Sequence, residues 1–376
     1  MKTVVSKTGI EVLYPCTIHL LTNGAKVECE YRSEQIGKDL LDYICEYLNL
    51  EEKNFWGLRF VDVYEQRYWL EPNKLIRSQV KNSCPVHFHF RVKIYPPEPF
   101  KLFDEEAKYQ IFMQLRFDLV SGRLKCGSTD SAMLIGLILQ YTYGDYDPTV
   151  HFGNYVQEKI LLNQTFNIEM RAIAVHKSHL RGLSMDQAQD LFLRMASQLE
   201  TYGIDPHQVE DSYGNKLTLW INHEGMKTYN KGEEVDKYEW MSISDIDQED
   251  KKIELNLVSG DSVTLHCLTD SECLYIFQEI QSYFSYFTTF GAHSTLGQID
   301  NESEVDNDSL DTFDGSEKSQ AADSEALLNI WMTALKLSQI KQQQQDKLHN
   351  PVNIEMLLLL WRSKGKESFK PAVNIK

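Results

Sequence analysis

Alternating and helical hydrophobic patterns divide the chain into regions of different character. Near the N-terminus, apolar residues alternate with polar ones on both sides of Asn23-Gly24, which is typical of a β-hairpin. A helical stripe follows over residues 36–48. Strand patterns come next, over residues 56–63, 67–70 and 86–92. Because the proline-rich stretch at 95–99 cannot continue a strand, the pattern predicts a ββαββ first lobe over residues 15–96.

Residues 99–204 change to helical periodicity. The helical stripes cover residues 107–119, 131–143 and 185–202. Ser184 and Gln187 have the spacing of a capping box, which marks the start of the last of these helices. This pattern predicts an all-helical second lobe.

Period-two alternation returns over residues 207–268, with turn signals at Gly214-Asn215 and Gly260-Asp261. A helical stripe over residues 271–287 follows. The pattern predicts a third lobe over 205–290, in which six or seven antiparallel strands are closed by one C-terminal helix. The three lobes together place the chain in the α+β class.

The residues beyond 290 have a different composition. Residues 291–325 are rich in Ser, Asp, Glu, Asn and Gly and contain few apolar side chains, which predicts an acidic disordered linker. Residues 326–376 are predicted to be a partly helical, basic tail.

The charge is unevenly distributed along the chain. The 38 basic and 55 acidic residues give a net charge of −17. Residues 196–292 alone carry −12, whereas the tail over 326–376 carries +5. General nucleic-acid binding is excluded because it needs a basic footprint. An acidic third lobe attracts basic partners instead.

The cysteines indicate free thiols. The chain has 7 cysteines at irregular spacing, and no two of them form a CxxC motif. A reducing compartment is therefore expected rather than a disulfide framework or a structural zinc site. The N-terminus has no apolar signal region, and the apolar run near the C-terminus is too short to span a bilayer, so a cytoplasmic chain is expected.

Short sequence motifs in a fixed order resemble those of the FERM domain family. Those in the first lobe are Trp56-Gly57-Leu58-Arg59-Phe60, Trp69-Leu70-Glu71-Pro72 and Lys93-Ile94-Tyr95-Pro96-Pro97. Those in the second lobe include Leu115-Arg116-Phe117-Asp118-Leu119, Gly144-Asp145-Tyr146-Asp147-Pro148 and Leu199-Glu200-Thr201-Tyr202-Gly203. The resemblance covers residues 15–290 and is closest to the band 4.1-like and FERM-domain-containing scaffold members.

The resemblance implies a three-lobed cloverleaf with a ubiquitin-like, an acyl-CoA-binding-protein-like and a PH/PTB-like lobe. It implies a non-enzymatic adaptor that binds the cytoplasmic tail of a membrane protein and a cytoskeletal or signalling protein, with phosphoinositide contact as a second expectation. Such a chain is peripheral at the plasma membrane, the cell cortex or the cytoskeleton, and no cofactor or metal is expected. The alternative is a regulatory FERM module of a larger signalling enzyme, a tyrosine phosphatase or kinase.

The peptide site is expected between the fifth strand and the last helix of the third lobe, where an extended tail adds to the strand edge. The groove candidates are Met241, Ile243, Ile246, Leu274, Phe277 and Ile280. A core position suits each of them equally well. The lipid-contact candidates are Lys251, Lys252, Arg362, Lys364 and Lys366. Four carboxylates in residues 244–250 oppose an anionic headgroup, which favours a basic peptide tail as the ligand.

The basic tail leaves three interpretations open. The apolar run from Ile354 to Trp361 and the cations after it have the pattern of a segment that lies on an anionic membrane. The same segment could fold back on the acidic third lobe, or it could stay solvated.

Catalytic and metal-binding patterns are weak. A tyrosine phosphatase loop needs Cys, five residues and Arg, but the sixth residue after Cys267 is Cys273, so buried thiols are predicted there. His87 and His89 point the same way on one strand without an apparent third ligand, which predicts a solvated face. His176 and His179 lie in a basic stretch with Lys177 and Arg181, which predicts a solvated helix end, with a weak anion or partner site as the alternative.

Overall fold

In a computed structural model of the chain, residues 2–6, 9–22, 24–80, 86–156 and 158–296 are described, and they lie within one compact unit, Met1–Ser303. The predicted tail and most of the predicted linker fall outside the described residues. The last helix runs to Leu296, so the start of the predicted disordered linker is helical. The reason is local, because residues 291–296 carry none of the acidic side chains that define the linker.

The first lobe is a mixed six-stranded sheet covered by a helix. Its strands are β1 (Lys2–Ser6), β2 (Gly9–His19), β3 (Lys26–Arg32), β4 (Trp56–Val61), β5 (Arg67–Trp69) and β6 (Val86–Val92), and its helices are α1 (Gly37–Tyr47) and α2 (Ile76–Gln79). Strands β2 and β6 are parallel, and the other pairs are antiparallel. The predicted hairpin is β2–β3, but β1 and the first residues of β2 precede the predicted start of the lobe at residue 15.

The described part of the second lobe contains four α-helices. They are α3 (Glu105–Ser121), α4 (Ser128–Tyr143), α5 (Phe166–Ser178) and α6 (Met185–Ala196). The capping box is confirmed, since Gln187 N donates to Ser184 Oγ at 3.2 Å and Ser184 N donates to Gln187 Oε1 at 3.0 Å. Helix α6 ends six residues before the predicted end at Tyr202. Helix α5 is not one of the three predicted stripes, because one of its few buried positions is a histidine.

The third lobe is an antiparallel sheet closed by a long helix, as predicted. Its strands are β7 (His207–Glu210), β8 (Lys216–Asn222), β9 (Gly225–Asn230), β10 (Glu233–Glu239), β11 (Ile243–Glu249), β12 (Lys252–Leu257) and β13 (Ser262–Cys267), and α7 covers Asp270–Leu296. The strand order is β10-β9-β8-β7-β13-β12-β11. Strands β10 and β11 therefore form the two edges of the sheet in the described part of the chain.

The three lobes meet around Tyr95. Its amide donates to Tyr283 Oη of α7 at 3.1 Å, and its own hydroxyl donates to Asp118 Oδ2 of α3 at 2.6 Å. Tyr202, fully buried beside it, donates to the Pro96 carbonyl at 2.8 Å. Gly203 has φ +69°, and a Cβ there would lie 2.8 Å from the Tyr95 ring, so only glycine fits. These contacts hold α7 in place from the side of the first two lobes.

Candidate peptide-binding groove

One wall of the groove is the edge strand β11. Its pairing with β12 shifts register between Ile243 and Asp245, and Ser244 and Asp245 are both exposed as a result of this bulge. Ile243 is buried at 4% exposure, whereas Ile246 is half-buried. Met241, just before the strand, is 69% exposed. Of these three predicted groove residues, Ile246 and Met241 are open to a ligand and Ile243 belongs to the core.

The opposite wall is the first half of α7. Leu274 and Phe277 are half-buried, whereas Ile280 is fully buried in the core. Helix α7 packs against β11, which brings the two walls together. Half-buried Phe284 shares the helical face of Leu274 and Phe277 through its i+7 spacing from Phe277. Sequence reasoning left Phe284 out of the groove, although the same helical stripe contains it.

The rim of the groove is acidic. Asp245, Asp247 and Glu249 are exposed along β11, and Asp250 follows in the turn. A β-strand edge offers backbone donors and acceptors to an extended chain, and the acidic side chains beside it select for positive charge.

The lysines near this rim are engaged with other groups. Lys252 Nζ lies 3.0 Å from Glu254 Oε2, and Lys251 Nζ donates to the Leu268 carbonyl at 3.3 Å. The acidic rim therefore keeps a net negative charge. The other three lipid-contact candidates, Arg362, Lys364 and Lys366, lie outside the described residues.

Strand β10, at the other edge, carries a similar charge. Glu233, Glu234, Asp236 and Glu239 lie on it, and Lys237 Nζ contacts Glu239 at 3.1 Å. No helix of the described residues packs against this strand as α7 packs against β11. Acidity alone does not distinguish the two edges, so the apolar face of α7 is what makes β11 the better candidate site.

The histidine pair on β6 has a third neighbour. His19 Nε2 lies 3.2 Å from His87 Nδ1, and the His19 ring stacks on His89 with centroids 4.7 Å apart. Burial, with help from Arg91, lowers the pKa of His89 to about 4. The sequence does not reveal His19 because parallel pairing of β2 with β6 brings it there. No set of three or more His, Cys, Asp or Glu side chains in the described ranges is arranged to hold a metal ion.

His176 corrects a sequence expectation. It is fully buried rather than solvated, with Nδ1 2.8 Å from Tyr155 Oη and Nε2 2.8 Å from the Gly144 carbonyl oxygen. Both ring nitrogens have partners, so the ring joins α5 to the end of α4. By contrast, the buried thiols predicted at Cys267 and Cys273 are confirmed.

Comparisons with known proteins identify the class of the fold. Residues 18–82 match the family model of the FERM N-terminal domain, and residues 97–207 match that of the FERM central domain. The Drosophila Merlin FERM and C-terminal domain complex has a similar fold, with a TM-score of 0.68 at 20% identity over 75% of this chain and 99% of that chain. The predicted α+β cloverleaf is confirmed, and residues 18–82 and 97–207 match the FERM N-terminal and central domains.

Within that class, the chain is similar to band 4.1-like proteins. It is 36% identical to human Band 4.1-like protein 3 over 225 residues, which are 60% of this chain and 20% of that protein. It is 35% identical to bovine Protein 4.1 over 229 residues, 61% of this chain and 37% of that protein. The chain therefore matches well under two thirds of the length of these relatives. The human myosin 7b MyTH4-FERM domain, solved in complex with the harmonin-a PDZ3 domain, has a TM-score of 0.53 at 13% identity over 74% of this chain and 60% of that one.

Among the residues that the structure describes, no helix is both long and apolar enough to cross a membrane.

Proposed function

We propose that this chain is a non-enzymatic adaptor that links a membrane protein to the cytoskeleton from the cytoplasmic side. Its third lobe binds an extended, basic cytoplasmic tail in the groove between β11 and α7. The tail adds as a strand to the edge of β11, and its apolar side chains contact α7. The similarity to band 4.1-like proteins supports the adaptor role and a location at the cell cortex.

The observation that carries the proposal is the combination of features in the groove. An edge strand with an acidic rim lies beside half-buried Leu274, Phe277 and Ile246. Strand addition provides affinity through the backbone, and side-chain pockets provide specificity. Among the residues that the structure describes, neither β10 nor the first-lobe sheet combines an acidic edge with a half-buried apolar wall from α7.

Binding of a basic peptide tests the charge part of the proposal. The probe is a fluorescent, extended peptide with alternating apolar residues and several Lys or Arg, and the matched probe replaces each Lys or Arg with Gln. The variant Asp245→Asn/Asp247→Asn/Glu249→Gln should weaken binding of the basic peptide about tenfold, since exposed charges contribute roughly 0.2–1 kcal/mol each. The loss should shrink in about 0.5 M salt because the charges are screened.

A matched variant on the other edge separates local from general electrostatics. Glu233→Gln/Glu234→Gln/Asp236→Asn removes the same charge from β10 and should leave the affinity within about twofold, because the charges lie away from the groove. Equal losses from the two triple variants would contradict the groove and leave only attraction to an acidic lobe. Equal affinity for the basic and neutral peptides would contradict the proposed ligand.

Phosphoinositide contact needs its own measurement. Vesicles containing phosphatidylinositol 4,5-bisphosphate should sediment with the chain less at physiological salt than at low salt, because the rim beside Lys251 and Lys252 is acidic. Substituting both lysines with Gln should leave that binding unchanged. A clear loss of vesicle binding in the Lys251→Gln/Lys252→Gln variant would place the lipid on the third lobe. That result would contradict the expectation that these two lysines do not contact lipid.

A further inference from the structure

Cys16 and Cys29 lie directly opposite each other on β2 and β3. They are paired in the antiparallel register, and their Sγ atoms are 3.3 Å apart. Both are free thiols. The adjacent pair on the same face, Tyr14 and Tyr31, stacks with ring centroids 5.4 Å apart, which helps to hold the register. The two thiols are therefore held together by the sheet itself.

The backbone already suits a disulfide. Directly paired residues of antiparallel strands have Cα atoms roughly 4.5–5.5 Å apart, and disulfides join Cα atoms roughly 4.4–6.8 Å apart. The sulfur atoms need to approach from 3.3 Å to about 2.05 Å, which side-chain rotation can supply without moving a strand.

One of the two thiols can be reached from solvent. Cys16 is 2% exposed, whereas Cys29 is half-buried. Both line a groove of about 770 Å³ whose other wall is α1, with Asp39, Leu40 and Tyr43. A small solute can therefore reach Cys29, whereas Cys16 is buried and out of its reach.

We propose that Cys16 and Cys29 form an oxidisable dithiol, which a hydroperoxide converts into an intramolecular disulfide at the edge of the first lobe. Cys29 is the attacking thiol and Cys16 is the resolving thiol. Exposure supports this order, because the oxidant can reach half-buried Cys29, whereas Cys16 is only 2% exposed.

The steps balance with hydrogen peroxide as the oxidant. The Cys29 thiolate attacks one peroxide oxygen, the O–O bond breaks, and the released hydroxide takes up the thiol proton to become water. Cys29 is then a sulfenic acid. The Cys16 sulfur attacks Cys29 Sγ, the S–O bond breaks, and a second water leaves as the S–S bond forms. Two thiols are oxidised, and one peroxide is reduced to two waters.

The charge of the groove selects among small reagents. Glu28, Glu30 and Asp39 lie in its lining. An uncharged peroxide enters such a groove freely, whereas glutathione carries a net negative charge and is repelled. The disulfide should therefore be reduced more slowly by glutathione than by uncharged dithiothreitol at equal thiolate concentration, and salt should narrow the difference.

The test uses the full chain, reduced, treated with graded hydrogen peroxide and quenched with N-ethylmaleimide. Trypsin cuts after Lys26, so Cys16 and Cys29 fall in separate peptides, and non-reducing mass spectrometry detects their link directly. Cys267 and Cys273 provide an internal control, because these two thiols also interact with each other but are 6% and 0% exposed. The Cys16–Cys29 link should form about tenfold faster than a Cys267–Cys273 disulfide, since thiol oxidation follows exposure.

Two variants assign the roles. Cys16→Ser should leave a Cys29 sulfenic acid that dimedone labels, with labelling that increases with pH, whereas Cys29→Ser should leave Cys16 unlabelled. Circular dichroism checks that both variants keep the fold. Equal oxidation of the two cysteine pairs, labelling of Cys16 in the Cys29→Ser variant, or no link at peroxide levels that oxidise other thiols of the chain would each overturn the proposal.

Discussion

Helix α7 has two faces with different surroundings: an inner face, which packs against the first lobe, and an outer face, which lies beside β11. On one face, Tyr275, Gln278 and Tyr283 are buried against the first lobe. On another, Leu274, Phe277 and Phe284 are half-buried beside the acidic edge strand β11. The first face packs against other parts of the chain, whereas the described residues cover the apolar surface of the second face only in part. The difference separates the part of α7 that stabilises the cloverleaf from the part that we assign to a ligand.

The inner face shows how a lobe junction tolerates polar groups. Tyr283 is fully buried, and its hydroxyl accepts a hydrogen bond from the Tyr95 amide at 3.1 Å. Asp118 accepts from Tyr95 Oη at 2.6 Å and from Gln114 Nε2 at 2.9 Å, while Arg123 Nε lies 3.7 Å away. Burial raises the pKa of the Asp118 carboxyl despite these partners. Buried polar groups with partners specify one arrangement, so the junction is expected to be sensitive to any truncation.

Truncation of the inner face should have the largest effect. Tyr283→Ala removes a fully buried ring stacked on Trp240, and we expect a loss of roughly 3–5 kcal/mol in the free energy of unfolding. Leu274→Ala, on the groove face of the same helix, should cost about 1 kcal/mol. Denaturant unfolding followed by tryptophan fluorescence measures both. Similar losses of unfolding free energy in the two variants would mean that the two faces of α7 contribute equally to stability, which would contradict the distinction between them.

Truncation of the outer face should instead affect binding. Phe277→Ala should weaken binding of the basic peptide about tenfold, because a ring that closes on a ligand contributes roughly 1–2 kcal/mol. The control is Tyr275→Phe, which keeps the ring stacked on Trp69 and should leave the affinity unchanged. Isothermal titration of each variant provides the comparison. If Tyr275→Phe weakened the peptide as much as Phe277→Ala, the ligand would lie on the junction side of α7.

The sequence predicts the three lobes better than it predicts which residues are exposed. Period two identifies β8, β12 and β13 in the third lobe, and the stripe from Leu274 to Phe284 identifies α7. Neither pattern distinguishes the core residues Ile243 and Ile280 from the half-buried Ile246 and Phe277. All four are apolar side chains that would suit a buried face. Exposure depends on where the sheet ends and on which side of α7 meets the first lobe. Likewise, His19 joins His87 and His89 through a long-range parallel pairing that no local pattern contains.

The smallest expected effect concerns a buried ion pair on the inner side of α7. His207 Nε2 on β7 lies 3.0 Å from Glu279 Oε2, and both side chains are 8% exposed. Burial opposes protonation of the ring, but the Glu279 carboxylate, with help from Asp205, outweighs it and raises the pKa of His207 above 6.5; Arg67 acts in the opposite direction. A raised histidine pKa stabilises the fold below the unfolded-state value of about 6.5, and this contribution is lost as pH rises through the folded-state pKa.

We therefore expect His207→Gln to lower the free energy of unfolding more at pH 6 than at pH 8. Histidines such as His19, His89 and His223, whose pKa values are lowered, act in the opposite direction, but they are present in both proteins and cancel in the difference. The matched background is Glu279→Gln, in which the same substitution should no longer cost more at pH 6 than at pH 8, because the carboxylate that outweighs the effect of burial is gone. A pH-independent difference in the wild-type background would mean that His207 stays neutral and that the junction face of α7 holds a neutral hydrogen bond at this position.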